Sequence, residues 1–379
     1  MHIQLGSFQG GGTPSTSNED YWNGDIPWIS SSDIIDEDII NINITRYINE
    51  NGLQESATKL IPKDSILFVS RVGVGKVAIA QTDLCTSQDF TNLTLSKDNN
   101  YFIGYYFLSK RSLLIRYSQG TSIKGFTTGD IKTLKLNLPS KPEQQKIASF
   151  LTSVDTKIEQ LTKKESLLQD YKKGVMQKIF NQEIRFKDEK GNDFSDWKTK
   201  KLGEFLKQKS NKNKNKLIDL VLSVSNKKGF ITQNEQFDGY EVASKDITGY
   251  KIVEKGDYAY NPSRINVGSI ARLKNYDRGI VSPMYVIFSL TKQMNPLFFD
   301  NLYKTHKFKH LIKIGCSGSV RDSLNFNDLA SFKVSLPCLE EQEKIANFLS
   351  SIDKKIEVTK IELEKTKEFK KALLQQMFV

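Results

Sequence analysis

Hydrophobic positions recur along this chain in two matching stripes. From Ile147 an apolar seam runs through Leu151, Val154, Ile158 and Leu161, breaks at Glu165, and resumes at Leu168, Val175 and Ile179. The second follows Ile345, Leu349, Ile352, Ile356, Leu363, Leu373 and Met377. Steps that alternate between three and four residues keep one helix face turned to a partner, so each stripe predicts a long helix. The polar breaks at Glu165, Lys172, Thr359 and Thr366 favour a specific antiparallel pair over a generic apolar bundle.

The stripes lie inside a longer self-match, Leu138–Phe180 against Leu336–Phe378, at a constant offset of 198 positions. Leu138-Pro139, Glu143-Gln144, Lys146-Ile147-Ala148 and Lys157-Ile158-Glu159 return as Leu336-Pro337, Glu341-Gln342, Lys344-Ile345-Ala346 and Lys355-Ile356-Glu357. A match of this length at one offset marks a tandem duplication. The expected fold is α+β: two mixed α/β globules joined by two long helices that form an antiparallel coiled coil, with an internal pseudo-twofold repeat. The expected divisions are 1–141, 142–184, 185–337 and 338–379, alternating globule and helical spacer. At 379 residues the chain exceeds the usual size of one core.

In the first globule, Ser65–Val69 and Lys76–Ala80 read as strands around a glycine turn at Gly73 and Gly75. Tyr101–Tyr117 reads as a helix, and Asp130–Leu138 as a strand entering the first repeat. The second globule echoes the outline: Lys201-Leu202-Gly203 answers Gln4-Leu5-Gly6, Asn295–Ile314 answers the helix, and Asp328–Leu336 answers Asp130–Leu138. Between these anchors the globules barely match, as two readers of different specificity on one framework would. Residues 181–197 read as a polar linker.

Charge separates the halves. Residues 185–337 hold 27 Lys and Arg against 16 Asp and Glu, an excess equal to the +11 net charge of the whole chain. A basic globule suits a polyanion such as DNA. The run Lys207–Lys216 fits that use or a solvated lysine-rich loop equally well. Three scattered cysteines, Cys85, Cys316 and Cys338, imply a reduced, cytoplasmic setting. No apolar run is long enough to span a bilayer, and Met1–Gln4 lacks the basic-then-apolar pattern of a signal peptide.

Catalytic motifs are incomplete. Gly75-Lys76 is followed by Val77 and lacks a glycine at position 70, so it is no Walker loop. Asn261-Pro262-Ser263-Arg264 has serine and arginine where an amino-methyltransferase motif needs proline and an aromatic ring. His306 and His310 stand four apart, as metal ligands can, without the glutamate of a His-Glu-x-x-His site. No metal site and no chemistry of its own are expected of this chain.

DNA-contact candidates form two matched pairs of loops. One pair is Ser118–Lys124, with Thr121, Ser122 and Lys124, and Cys316–Arg321, with Ser319 and Arg321. The other is Ser70, Arg71 and Lys76 against Ser263, Arg264 and Asn266. Arginine, lysine and asparagine reach base edges while hydroxyls hold phosphates; ordinary turn chemistry is the competing account. Arg71 and Lys76 are read as free to meet phosphate.

The paired starts Leu138-Pro139…Glu143-Gln144-Gln145-Lys146-Ile147-Ala148 and Leu336-Pro337…Glu341-Gln342-Glu343-Lys344-Ile345-Ala346, each opening a long helix, resemble those of specificity subunits of Type I DNA restriction–modification systems. Gly11–Ser15 and Tyr21–Trp28 are similar to the opening of that family's first domain, and the resemblance covers essentially the full chain. It implies two target-recognition domains that read the halves of a bipartite double-stranded DNA site, with helices that fix the spacing. It also implies docking of two methylation subunits, with restriction subunits outside; S-adenosylmethionine, ATP and Mg would act only in those partners. The stretch Asp155–Phe180 would span about 39 Å as helix, close to the roughly 34–36 Å of one DNA turn. One departure is that Phe194–Trp197 precedes the second globule while nothing equivalent stands before Leu5. A different class of function, a coiled-coil scaffold whose globules bind protein, remains open and would lack phosphate-like salt dependence.

Overall fold

The computed structural model describes residues 6–117, 125–134, 136, 138–232, 235, 246–316 and 323–378. The chain forms two compact units, one of residues 1–165 with 359–379 and one of residues 166–358. Each long helix contributes residues to both units. Each is divided, and each part is built into the core of its unit.

The first unit carries two four-stranded sheets. Its strands are β1 (Gly6–Gly10), β2 (Ile26–Ile29), β3 (Arg46–Ile48), β4 (Leu60–Ile61), β5 (Ile66–Val69), β6 (Val77–Ile79), β7 (Leu84–Thr86) and β8 (Phe90–Leu95). One sheet has the order β1-β8-β5-β6, all antiparallel; the other runs β3-β2-β7-β4. All four residues of β5 are buried because the sheet is covered on both faces. Ile66 and Phe68 face one apolar cluster, Leu67 and Val69 the other, as strict alternation along a strand requires.

Helices α1 (Glu50–Gln54), α2 (Asn100–Ser109), α3 (Arg111–Tyr117) and α4 (Thr128–Thr133) follow in this unit. The helix expected over 101–117 is thus two, divided at Lys110. The strand expected at Asp130–Leu138 begins instead as α4. Thr127 and Asp130 cap each other there, satisfying the first free amides and fixing a helix where apolar alternation suggested a strand. Phe102, Ile103, Tyr105 and Phe107 of α2 pack with Ile66, Phe68, Ile79 and Leu93, and the long helices add Ala148, Leu151 and Phe378 to the same core.

In the second unit β9 (Lys198–Lys201), β10 (Leu206–Lys209), β11 (Leu222–Ser225), β12 (Gly229–Thr232), β13 (Lys251–Glu254), β14 (Tyr258–Tyr260), β15 (Ile270–Arg272), β16 (Arg278–Val281), β17 (Val286–Leu290) and β18 (Lys333–Leu336) appear. Its main sheet, β10-β17-β14-β15, repeats the antiparallel order of β1-β8-β5-β6. Three two-stranded ribbons pair β11 with β12, β13 with β16, and β9 with β18. Helices Pro296–Leu302 and His306–Cys316 cover one face, where Tyr258, Phe288, Phe298, Phe299 and Phe308 meet Phe180, Ile345 and Leu349.

The predicted helices are continuous: α5 spans Lys141–Phe180 and the carboxy-terminal helix spans Leu339–Met377. Much of each apolar stripe packs into a globular core: Leu151 joins Ile66 and Phe68, and Ile345, Leu349 and Ile352 join Phe298 and Phe299. Leu151, Val154, Leu161, Ile345, Leu349, Ile352 and Leu363 are buried; Ile147, Ile158, Leu168, Ile356 and Leu373 are half-buried. Each repeat starts with the same buried amide. Gln144 Oε1 accepts from Asn99 N at 3.0 Å and Gln144 Nε2 donates to Pro139 O. In the second unit Gln342 Oε1 accepts from Asn295 N at 2.9 Å and its Nε2 donates to Pro337 O. Asn99 and Asn295 in turn cap the helices that follow them.

Candidate nucleic-acid interface and helix pair

A cavity of about 620 Å³ opens on the second unit. Its walls come from the β11–β12 turn, the Ile265–Gly268 turn, the end of β15 and the helix His306–Cys316. Gly229 and Gly268 adopt φ of +71° and +96°, a left-handed conformation that glycine takes without strain, and so close the two turns. Lys227, Lys228, Lys274, Lys304, Lys309 and Arg272 converge on it.

One buried carboxylate organises this cluster. Asp300 accepts from Tyr258 Oη, Arg272 Nη2 and Lys274 Nζ, each at 2.8 Å. Burial, and then the Asp300 charge, drives the Tyr258 hydroxyl well above its ordinary value, so it stays protonated as a donor. A single carboxylate answers two of these cations, leaving the lining basic. Arg272 Nε is buried without a hydrogen-bond partner among the described residues. Lys304 is held below its ordinary lysine value, first by desolvation and then by the neighbouring Lys172 charge. A phosphate would relieve both conditions.

Of the residues singled out from sequence, Asn266 lines this cavity. Ser263 and Arg264 are exposed beside it, held by Asn261, whose Oδ1 accepts from Ser263 N and whose carbonyl accepts from Arg264 N. Ser70 is committed elsewhere: it is buried, and both its amide and its hydroxyl donate to Asp89 O. Arg71 is exposed. Lys76 donates to Ile34 O at 2.9 Å, so it ties down the β5–β6 turn and is not free as expected. Thr121, Ser122, Lys124, Ser319 and Arg321 lie outside the described residues. The lysines at 227–228, 274, 304 and 309 come from separate segments, and the basic excess over 185–337 is the one signal of them that the sequence carries.

The helix pair supplies the second candidate surface. Within the first unit Asp155 meets Lys370 at 2.6 Å, Lys157 meets Glu362 at 2.8 Å, and Glu165 meets Lys360 at 3.7 Å. Numbers that rise on one helix fall on the other, so these parts run antiparallel. Within the second unit Lys172 meets Asp353 at 2.6 Å. The Asp155–Lys370 pair also receives Tyr105 Oη at 2.7 Å, and Lys370 donates onward to Glu37 O.

The expected linker is structured. Arg185 grips Glu341 with Nε and Nη2 at 2.8 and 2.9 Å, and Trp197 Nε1 donates to the same carboxylate. His306 and His310 are exposed, and no cluster of metal-ligating residues exists among the described residues. None of the described helices is long and apolar enough to cross a membrane.

The Type I restriction modification DNA specificity domain matches this chain twice, over residues 4–169 and 194–368. The chain belongs to that family. Among relatives, the Type I restriction enzyme MjaIX specificity subunit of Methanocaldococcus jannaschii is 33% identical over 222 residues, 55% of this chain and 51% of that protein. The EcoR124I/EcoR124II specificity subunit of Escherichia coli is 30% identical over 169 residues, 42% and 41% of the two chains. These matches span about half the length of those relatives. A longer match, 25% identity over 386 residues, joins 91% of this chain to 85% of the putative MjaX specificity subunit of M. jannaschii. The crystal structure of a Type I S subunit from M. genitalium shares the fold, with a TM-score of 0.62 at 16% identity, over 99% of this chain and 94% of that one. Both family matches begin in a globule and run into a long helix, as the internal repeat does.

Proposed function

We propose that this chain is the DNA-reading subunit of a Type I restriction–modification enzyme and catalyses nothing by itself. Each unit reads one half of a bipartite double-stranded site, and the helices fix the gap and dock two methylation subunits, with restriction subunits joining outside them. S-adenosylmethionine, ATP and Mg act in those partners, in the cytoplasm. The observation that carries this reading is the doubled specificity domain on two units with the same sheet order and the same Gln144 and Gln342 anchors. In the second unit the basic cavity holds phosphate, while Asn266 in its wall and the exposed Arg264 beside it stand where base edges would pass. Arg71 takes the corresponding place in the first unit.

Co-expression with a methylation subunit from the same genome, followed by mapping of methylated adenines, tests this proposal. A single two-part motif with a fixed gap is expected, and methylation should be absent when this chain is omitted.

A further inference from the structure

The internal repeat allows one unit to be compared with the other at equivalent positions, and one helix face differs sharply. In the second unit the first turns of the carboxy-terminal helix are covered by the strap of residues 185–197. Arg185 forms a two-bonded pair with Glu341, which is 0% exposed. Phe186 lies against Phe348 with ring centres 5.5 Å apart, and Lys344 donates to Lys187 O at 2.8 Å while lying over the Phe194 ring. Arg185 also donates to the carbonyls of Phe194 and Ser195, which closes the strap on itself.

The equivalents of Glu341, Lys344 and Phe348 in the first unit are Glu143, Lys146 and Phe150 on α5. The three residue types are retained and their spacing is unchanged. All three are exposed, Phe150 to 44%. No strap lies over them among the described residues. A carboxylate, a lysine and a phenylalanine on successive turns thus form a surface whose partner chemistry is displayed in the second unit.

We infer that the Glu143–Lys146–Phe150 face of α5 is a docking site for a partner polypeptide that carries an arginine followed by an aromatic residue. The arginine takes Glu143 in a two-bonded pair, the aromatic ring covers Phe150, and a backbone carbonyl of the partner accepts from Lys146. An arginine–carboxylate fork combines charge with fixed geometry, which sets the direction in which the segment lies.

The test uses the full chain and a synthetic peptide with the sequence of residues 183–198, which contains Arg185, Phe186, Phe194 and Trp197. Binding is followed by fluorescence anisotropy of the labelled peptide. Saturable binding is expected, weakened about tenfold or more by E143Q or F150A in the protein and by replacing the peptide's arginine with alanine. Both protein substitutions fall on exposed positions, so the fold tolerates them. Absence of binding up to about 1 mM peptide overturns the inference. So does binding that E143Q and F150A leave unchanged, since that places the peptide elsewhere, including the Glu341 site.

Discussion

Lys370 Nζ lies 2.6 Å from Asp155 Oδ1, and each side chain is only 7% exposed. The residues offset by 198 positions, Asp353 and Lys172, make the same pair at the same distance, but there Asp353 is 53% exposed. One interaction has therefore been copied into two solvent environments, which separates its packing role from its charge.

Removing Lys370 strands a buried carboxylate, whereas removing Lys172 leaves its partner in water. K370M is expected to destabilise the first unit by about 3–5 kcal/mol, and K172M by about 1 kcal/mol or less. Chemical denaturation of both variants checks the contrast. Equal effects would contradict it.

Burial raises the Asp155 carboxyl above its ordinary value of 3.8, opposed mainly by the Lys370 charge. The native state therefore keeps this proton at a pH where the unfolded chain has released it. Stability from this group is present below 3.8 and declines as pH rises from there through the higher folded value. D155N should remove that decline; the difference between the two stability–pH curves reports it directly.

Gln144 and Gln342 are each nearly sealed from solvent and span the same gap between a helix start and a capping asparagine. Alanine at either position leaves backbone groups of half-buried or buried residues unpaired, at about 1–3 kcal/mol or less. Hydrogen exchange should show the effect centred on the amide of Asn99 in Q144A and of Asn295 in Q342A. Exchange confined to one of the two would break the equivalence of the units.

On the proposed function, the lysines of the basic cavity set DNA affinity. Replacing Lys227 and Lys228 with alanine should weaken binding to any DNA sequence and lower the salt slope by roughly one unit for each phosphate that is no longer neutralised. Filter-binding or anisotropy titrations at several salt concentrations measure this. An unchanged slope would place the bound phosphates away from this cavity.

The buried stripe from Ile147 to Leu373 was legible in sequence because a helix repeats its buried face every three to four residues, and the duplication displayed that pattern twice; that Leu151 and Leu349 would join the cores of the two globules was not. Strands β5 and β6 were legible for a related reason, as short apolar runs around glycines. The strap was not. Arg185 and Glu341 are far apart in sequence and polar, and polar residues between two apolar segments read as linker until tertiary structure pairs them. Helix α4 was hidden by its cap, since Thr127 and Asp130 override a strand-like pattern through local hydrogen bonds. Lys76 has the composition of a DNA contact but is tethered to Ile34 O, a bond no sequence spacing reveals. The basic cavity collects lysines from separate segments, so only the charge excess of its region hinted at it.

That two units on one duplicated frame read two halves of a DNA site is tested most directly by long-read mapping of adenine methylation, in cells that express this chain with a methylation subunit from the same genome. A single motif of two specified parts, separated by a fixed number of unspecified bases, is expected, with R264A relaxing one part and leaving the other intact. A stable complex that methylates no motif, or one whose motif has a single undivided part, would contradict it.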